Sequence, residues 1–380
     1  MGDSILKRLL NWVLALRDHY VLNKKIKKIM RCQVHTLKTG KIDRSLRFAH
    51  LQKWRALSRR VNDRWLAVYS RISGIDSIDY VPEPIYCSVI EPRLNHRGLT
   101  SAYSDKCAYN LHFTPYSLFP QTALQNIDGV FYDSGYRPLE LSDHHLGAIL
   151  HPYDRVILKP SMDSSGGHNV RLFTRAKDNV FSDSVGHRLS LAYLKAEYSR
   201  NFLLQEYIEQ HEFYRRFNPS SVNTVRVYTY RSVTDEAVIP LQAVLRIGRP
   251  GSIVDNQAAG GIACGIYPNA RLNAFAVDKW GNRYSSIHSI SFSDCDAVYL
   301  FERMLQCAKT LASRMVYSRL NGFDFCVDQR STVRLLEINS KNIEINFLQM
   351  NTGPLFKEYT DEVIDYCLKS PKYVCLDFRI

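Results

Sequence analysis

The segment GFDFCVDQRSTVRLLEIN (residues 322–339) decides the fold of this chain. Two runs of mainly apolar residues, 323–327 and 333–338, are separated by the turn-forming residues DQRST, and this pattern predicts an antiparallel β-hairpin. If Asp324 faces Glu337 across the hairpin, the midpoint of the register falls inside that turn. The register is therefore self-consistent and places the two carboxylates opposite each other.

Three oxygen-bearing side chains of this hairpin are predicted to share one face. Because side chains alternate along a strand, Asn339 lies on the same face as Glu337, across from Asp324. Two carboxylates and a carboxamide suit Mg²⁺, with Mn²⁺ as a substitute, since Mg²⁺ binds few protein carboxylates and fills its octahedron with phosphates and water. The alternative is an exposed hairpin with polar alternation, but the large apolar neighbours of both acids favour a cation site.

A second segment, LKPSMDSSGGHNV (158–170), predicts a phosphate-binding loop. The runs 155–160 and 169–173 are predicted strands, and the Gly/Ser turn between them offers backbone N–H groups beside the ammonium of Lys159. Such a combination holds phosphate oxygens. The spacing differs from the P-loop and GxGxxG patterns, and Gly/Ser turns are common, so this segment alone does not define a site.

A third segment, FLLQEYIEQHE (202–212), predicts a strand at 201–205 followed by alternating acidic residues. The backbone at such a strand end can bond the edge of an adenine ring, and an acid beyond it can bond ribose hydroxyls. The other predicted elements are strands at 224–230 and 237–247, a Gly-rich excursion at 248–265, and helices at 4–31, 45–73, 294–317 and 356–368.

In this order along the chain, the segments resemble the ATP-grasp enzymes, and in detail the sugar-transfer-associated ATP-grasp group found with surface-polysaccharide genes. The resemblance covers residues 103–368. It implies an α+β (α/β) ATP-grasp fold, in which two lobes grip ATP, with a basic helical N-terminal extension. The motifs that carry it are SDKCAYNLHF (104–113), VILKPSMDSSGGHNV (156–170), LLQEYIEQHE (203–212), SVNTVRVYT (221–229), LRIGRPGSIVDNQAAGGI (245–262) and GFDFCVD…RLLEIN (322–339).

The resemblance implies which residues bind the nucleotide. Lys159 matches a lysine that contacts the α- and β-phosphates, and Glu212 is the expected ribose acid, with Glu209 as the alternative. Relatives carry a second lysine where this chain has Asn110, so either Lys106 makes that phosphate contact or no lysine does. The implied nucleotide-binding residues are Lys106, Lys159, Ser164, Ser165, Gly166, Gly167, Glu206, Tyr207, Ile208 and Glu212.

The resemblance also implies residues for the metal, the catalytic step and the acceptor. Arg226 and Arg246 lie where the family places cations around the γ-phosphate and acceptor; alternatively, each arginine pairs across a sheet. The implied metal ligands are Asp324, Glu337 and Asn339. The acceptor candidates that follow from cation and glycine placement are Arg215, Arg216 and the loop 255–261 with Asn256, Gly260 and Gly261. Lys341, just after the EIN motif, is a candidate for an extra phosphate or acceptor contact.

The activity that the resemblance implies is that of an ATP-dependent carboxylate–amine ligase. ATP converts a carboxylate into an acyl phosphate, which an amine attacks, and positioning with charge neutralisation by cations, loop amides and Mg²⁺ is sufficient for this chemistry. We expect an amino acid or amine to be joined to an acidic sugar in surface polysaccharide biosynthesis. The alternatives are a kinase that phosphorylates a sugar or glycan hydroxyl, and a membrane- or polyanion-binding protein with a degenerate nucleotide fold.

The positive charge of the chain is confined to its N-terminal part. The whole chain carries 50 Lys and Arg against 37 Asp and Glu, a formal charge of +13. Residues 1–60 hold 16 basic and three acidic residues, so the remaining 320 residues are neutral overall. No nucleic-acid reading module accompanies this charge, so no nucleic-acid partner is expected. The helical apolar period of residues 4–31 fits a solvated basic helix or, equally, a peripheral surface for anionic lipid.

The length of 380 residues predicts more than one lobe. The expected boundaries are a basic helical region at 1–78, a small α/β lobe at 79–150, and ATP-grasp lobes at 151–380, of which 151–212 is the smaller. Nine cysteines without a CxxC pair favour reduced thiols. Because no apolar run of about 18 residues occurs, we expect a cytoplasmic protein, with residues 1–60 as the candidate for peripheral contact at the inner face of a membrane.

Overall fold

The computed structural model describes residues 2–32, 42–113, 118–162, 167–177 and 179–370. The helices are α1 (Gly2–Cys32), α2 (Arg44–Arg55), α3 (Arg64–Ser73), α4 (Glu83–Ile85), α5 (Glu91–Leu94), α6 (Arg97–Ser104), α7 (Tyr109–Phe113), α8 (Asp143–Leu150), α9 (Leu191–Glu197), α10 (Glu212–Arg215), α11 (Phe301–Arg314), α12 (Asn346–Thr352) and α13 (Thr360–Lys369). A π-helical turn, Tyr86–Ile90, joins α4 to α5, and 3₁₀ turns lie at Lys106–Ala108, Gln257–Ala259 and Lys357–Tyr359.

The strands form two large antiparallel sheets and one short ribbon. In chain order they are β1 (Thr122–Ile127), β2 (Val130–Tyr132), β3 (Arg155–Pro160), β4 (Arg171–Arg175), β5 (Phe181–Ser182), β6 (Phe202–Glu206), β7 (Thr224–Arg231), β8 (Val238–Ile247), β9 (Ile262–Ile266), β10 (Leu272–Val277), β11 (Arg283–Tyr284), β12 (Ser286–Ile287), β13 (Ile290–Ser291), β14 (Leu320–Val327) and β15 (Val333–Asn339).

The smaller sheet has the strand order β2-β1-β6-β3-β4-β5. One face is covered by α8 and α9, whose Leu146 and Leu194 pack with Leu158 of β3 in a common apolar cluster. Because side chains alternate, Ile157 and Lys159 lie on the opposite face of β3. The predicted boundary after residue 150 falls inside this sheet, since β1, which carries the edge strand β2, pairs with the later strand β6.

The larger sheet has the order β11-β10-β9-β8-β7-β14-β15. Its interior strand β7 is buried on both faces, as its run of β-branched and aromatic residues predicts. Val225 and Val227 pack in the cluster that includes α11. Tyr228 and Tyr230 pack on the other side, with α12 and α13. Arg226 therefore lies on the same face as Tyr228.

The hairpin predicted from residues 322–339 is present as β14 and β15. The Cα register pairs Asp324 with Glu337, as predicted, and a bulge follows between Asp324 and Phe325. On its other side β14 pairs with β7, which sets Asp324 opposite Arg226. The neighbouring interior strands β7 and β14 thus place a guanidinium and a carboxylate side by side.

The predicted helix at 294–317 begins later, at Phe301. The sequence pair Ser293 and Asp294, a typical helix-start signal, lies ahead of this start and does not cap the helix; the Ser293 hydroxyl donates to the Asp294 side chain. The preceding segment is fixed by packing, since Val298 is buried and its N–H donates to the carbonyl of Ala270. Tertiary contacts here override the local start signal.

The N-terminal helices are as predicted in kind, although the pattern at 45–73 is divided between α2 and α3. The side chain of Asp43 caps α2 by accepting from the N–H groups of Ser45 and Leu46. The last turns of α1 pack through Ile26 and Ile29 against the body of the protein. Within the described ranges, no helix is long and apolar enough to cross a bilayer.

Candidate active site

A cavity of about 360 Å³ lies between the two sheets, and we call it the cleft. Strands β3 and β6 of the smaller sheet line one side, and β7, β8, β14 and β15 of the larger sheet line the other. The structure brings together residues that are far apart in the sequence. The predicted site residues that line the cleft are Lys106, Lys159, Gly167, Glu206, Tyr207, Ile208, Arg226, Arg246, Asn256, Asp324, Glu337, Asn339 and Lys341.

Asp324 lies at the centre of a buried charge network. Arg226 bonds it in a bidentate manner, with Nε 2.6 Å from Oδ1 and Nη2 2.6 Å from Oδ2. Arg246 adds a third bond, with Nη1 2.7 Å from Oδ2. Burial alone would raise the pKa of Asp324, but the two guanidinium groups outweigh it and hold the pKa below its ordinary value. Both arginines are thus fixed by one carboxylate.

Arg246 is held at its other end by the loop after β8. Its Nη2 lies 3.2 Å from Oδ1 of Asp255 and also bonds the side-chain oxygen of Asn256. Asp255 in turn accepts from the hydroxyl of Thr224 on β7. Thr224 was not among the predicted site residues, whereas Asp255 begins the loop that was predicted to face the acceptor. This loop fixes the direction of the Arg246 side chain.

Glu337 is bonded from the opposite side of the cleft. The Nζ of Lys106 lies 2.7 Å from Oε1 of Glu337. Burial would raise the pKa of Glu337, yet the ammonium of Lys106 lowers it below the ordinary value, so the group is a carboxylate. One carboxylate oxygen of Glu337 is therefore paired with Lys106, the first residue of the 3₁₀ turn Lys106–Ala108.

The donor set fits a magnesium ion in part. Glu337 and Asn339 present oxygens to the cleft, as Mg²⁺ requires, whereas both oxygens of Asp324 accept from arginines. Among the described residues, no three acidic, histidine or cysteine side chains are grouped so as to hold a metal. A magnesium ion here would thus rely on Glu337, Asn339 and oxygens from the nucleotide.

Two lysines approach each other on the smaller-sheet side. Lys159 lies at the end of β3, and the N–H of Lys106 donates to the carbonyl of Ser161 just beyond that strand. Burial, and secondly the charge of Lys106, lower the pKa of Lys159 to about 8. A paired ammonium arrangement of this kind is unfavourable by itself and is relieved by an anionic ligand such as a phosphate.

The other end of the cleft is apolar. Ile157, Ile208 and Leu336 contribute side chains from both sheets, a lining suited to a flat ring. Here the side chain of Glu206 accepts from the N–H of Gln121, 2.8 Å away. The guanidinium of Arg155 lies 4.1 Å from the ring centroid of Tyr207.

Several predicted residues do not line the cleft. Glu212 begins α10, and its rival Glu209 pairs with Arg155 instead. Gly260 and Gly261 lie outside the lining; a Cβ at Gly261 would meet the carbonyl of Asp255 at 2.6 Å, so this glycine permits a close backbone approach. Ser164, Ser165 and Gly166 lie outside the described residues.

The fold and the site together define an ATP-grasp protein. Two sheets enclose a cleft with an apolar end, a pair of lysines and a carboxylate centre. A family model described as sugar-transfer associated ATP-grasp matches residues 91–363. The chain therefore belongs to this family, and the ATP-grasp fold predicted from the sequence is confirmed.

Solved structures with a related fold are distant. The ATP-grasp ligase PsnB complexed with minimal precursor is 14% identical, with TM-score 0.36, over 70% of this chain and 61% of that one. The biotin carboxylase domain of the Hydrogenobacter thermophilus 2-oxoglutarate carboxylase, with MgADP, ADP and bicarbonate, is 14% identical, with TM-score 0.41, over 73% of this chain and 48% of that one.

The Aspergillus clavatus carboxyaminoimidazole ribonucleotide synthase, complexed with ATP, is 12% identical, with TM-score 0.35, over 65% of this chain and 47% of that one. The chain thus spans less than two thirds of the length of each of these proteins. A search of curated proteins gave no match.

Proposed function

We propose that this protein is an ATP- and Mg²⁺-dependent carboxylate–amine ligase. The observation that carries the proposal is that four cationic side chains and the carboxylates of Asp324 and Glu337 line one cleft. Phosphoryl transfer needs charge neutralisation and alignment more than a protein nucleophile, and this arrangement supplies both. The four cations are Lys106, Lys159, Arg226 and Arg246.

The nucleotide is proposed to lie along the cleft. Its adenine would occupy the apolar end, bonded by backbone groups of residues 206–208, with Lys159 and Lys106 at the α- and β-phosphates. The loop 164–167 would close over the phosphates. Glu337 and Asn339 would hold Mg²⁺, which supplies charge neutralisation between phosphate oxygens when bound.

The proposed reaction has two balanced steps. A carboxylate oxygen of the acceptor takes the γ-phosphoryl group and ADP leaves; the amine then attacks the acyl carbon, loses a proton, and inorganic phosphate leaves. Arg226 and Arg246 are the proposed stabilisers of the transferring phosphoryl group, since a guanidinium bonds phosphate oxygens in two directions. Asp324 would hold both arginines in place through its two carboxylate oxygens.

For the substrates, we propose an amino acid or amine and an acidic sugar, in surface polysaccharide biosynthesis. The family description, with its association with sugar transfer, supports this class. Asn256 and Lys341 line the cleft and offer an amide and an ammonium to the carboxylate and hydroxyl groups of such an acceptor.

An ADP-release screen across amino acids and uronic-acid sugars tests the proposal. We expect ADP and phosphate in equal amounts only when both acceptor substrates are present, and no release from Glu337→Gln. A stable phosphorylated sugar detected by mass spectrometry would replace the ligase with the kinase alternative. Release of AMP would contradict both activities.

We also propose that the protein is cytoplasmic and that α1 contacts anionic lipid at the inner face of the membrane. The N-terminal part of α1, before residue 21, exposes the apolar side chains of Leu9, Trp12, Val13 and Tyr20, which follow a helical spacing. The basic residues of the same segment would meet anionic headgroups.

A further inference from the structure

Helix α1 precedes the family-matched residues, and one of its lysines contacts a residue that lines the cleft. Ile26 and Ile29 are fully buried against the helical body, and this packing aims the neighbouring Lys25 inward. The Nζ of Lys25 lies 2.7 Å from Oε1 of Glu83 and 3.2 Å from Oε1 of Glu344. One ammonium therefore bridges two carboxylates from distant parts of the chain.

Glu344 lines the cleft at the end where Arg226 lies. Its backbone carbonyl accepts from the hydroxyl of Tyr228, 2.6 Å away. Close by in sequence, Phe347 also lines the cleft, with its ring centroid 5.9 Å from the guanidinium of Arg226. The side chain of Glu344 is 45% exposed, so it is open to a ligand in the cleft.

The charges around Lys25 explain why the bridge matters. The amide nitrogen of Asn346 lies 2.7 Å from Oε1 of Glu83 and 3.3 Å from Oε1 of Glu344, so both carboxylates converge on one point. Glu83 is buried, and two carboxylates that share a site repel each other unless a cation lies between them. Lys25 is that cation.

We infer that Lys25 is a positioning residue of the active site: through Glu344 it fixes segment 341–347, which forms the Arg226 end of the cleft. The structural role of Lys25 does not depend on the proposed function. Its effect on substrate does, because the carboxylate of Glu344 would attract the amine of the proposed amine-bearing substrate. A residue that precedes the family-matched range thus supports one wall of the cleft from outside.

Hydrogen–deuterium exchange of the full chain tests the structural part. In Lys25→Met we expect segment 341–347 to exchange at least severalfold faster, while strand β7 keeps its protection, because the segment loses its tether to α1. Lys25→Arg should restore the slow exchange. Lys27→Met is the matched control, since Lys27 is an exposed lysine of the same helix, and it should exchange like the unmodified protein.

A second variant separates positioning from simple loss of stability. Lys25→Met leaves the buried Glu83 without its cation, which could unfold the protein for an unrelated reason. The double variant Lys25→Met with Glu83→Gln removes that charge and should fold, yet segment 341–347 should still exchange fast. Slow exchange in the folded double variant, or equally fast exchange in Lys27→Met, would overturn the inference.

Kinetics test the effect on substrate once an acceptor pair is identified. In the double variant we expect the KM of the amine to rise about tenfold, as for loss of one charge-assisted contact, with the KM of ATP within about twofold of normal. Equal rises in both KM values would contradict a positioning role at this end. If no amide product is found at all, the ligase proposal fails while the exchange result still decides the role of Lys25.

Discussion

Asp324 connects three strands through its side chain, because its two arginine partners lie on β7 and β8. Removing its charge in Asp324→Asn leaves the buried Arg226 without its bidentate carboxylate partner, and leaves Arg246 with Asp255 as its paired carboxylate. We expect the free energy of unfolding to fall by about 3–5 kcal/mol, measured by urea denaturation.

Glu337→Gln is the control for that measurement. The side chain of Glu337 is 33% exposed and has one lysine partner, so the loss should be clearly smaller. Equal losses in the two variants would show that Asp324 has no special part in the sheet. The same comparison makes Glu337→Gln the better inactive blank for activity assays.

The lowered pKa of Lys159 gives nucleotide binding a pH dependence. Its pKa of about 8 means that the ammonium is present below that pH and lost above it. If the ammonium contacts phosphate, the affinity for ADP falls as pH rises through about 8, approaching tenfold per pH unit well above it. Fluorescence titration with a labelled nucleotide across this range measures the effect.

Lys159→Arg separates this titration from general effects of pH. A guanidinium stays charged throughout the range, so the variant should bind ADP with little change between about pH 7 and 9.5. An equal decline in the arginine variant would assign the pH dependence to another group.

At the scale of elements, the contact between β9 and α12 leaves no room for a side chain at Gly265. An added Cβ would lie 2.7 Å from Cγ2 of Thr352 and 3.3 Å from Cβ of Asn351. Gly265→Ala should therefore destabilise the protein by about 1–3 kcal/mol through overpacking, measured by urea or thermal unfolding.

Gly147→Ala in helix α8 is expected to have the opposite effect on stability. Gly147 lies inside α8 with open space where its Cβ would be, so alanine should stabilise the protein by roughly 0.5–1 kcal/mol. Similar destabilisation at both sites would contradict the packing account of Gly265.

The elements show where local sequence is informative. The register of β14 and β15 was predictable, because the turn and the alternating pattern leave one pairing that keeps the apolar faces buried. The start of α11 was not, because the burial of Val298 decides where the helix can begin. Propensity signals are worth tenths of a kcal/mol, whereas burial of one such side chain is worth about 1.5–3 kcal/mol.

At the scale of the whole molecule, the C-terminal turns of α1 pack against the body through Ile26 and Ile29, whereas its N-terminal turns expose apolar side chains. We expect the protein to sediment with vesicles that contain anionic lipid, less with neutral vesicles, and less at high salt, because both apolar insertion and headgroup attraction contribute. The triple variant Leu9→Ser, Trp12→Ser and Val13→Ser should lose most of this binding.

Val185→Ser is the control for the vesicle experiment. Val185 is 75% exposed in the turn that follows β5, so its replacement changes the hydrophobicity of the surface away from α1. Loss of sedimentation in this variant, or none in the triple variant, would contradict lipid contact through α1.

The sequence by itself determined the family and the hairpin, because both depend on local spacing along a strand or loop. The nucleotide-binding residues that it indicates stay predictions. Only the tertiary structure decided that both arginines converge on Asp324, that Lys106 pairs with Glu337, and that β1 pairs with β6 in the smaller sheet. It alone brought Lys25 of the basic segment to Glu344 at the cleft. Such contacts join residues more than 75 positions apart, and no local pattern records which distant charge a buried carboxylate will meet.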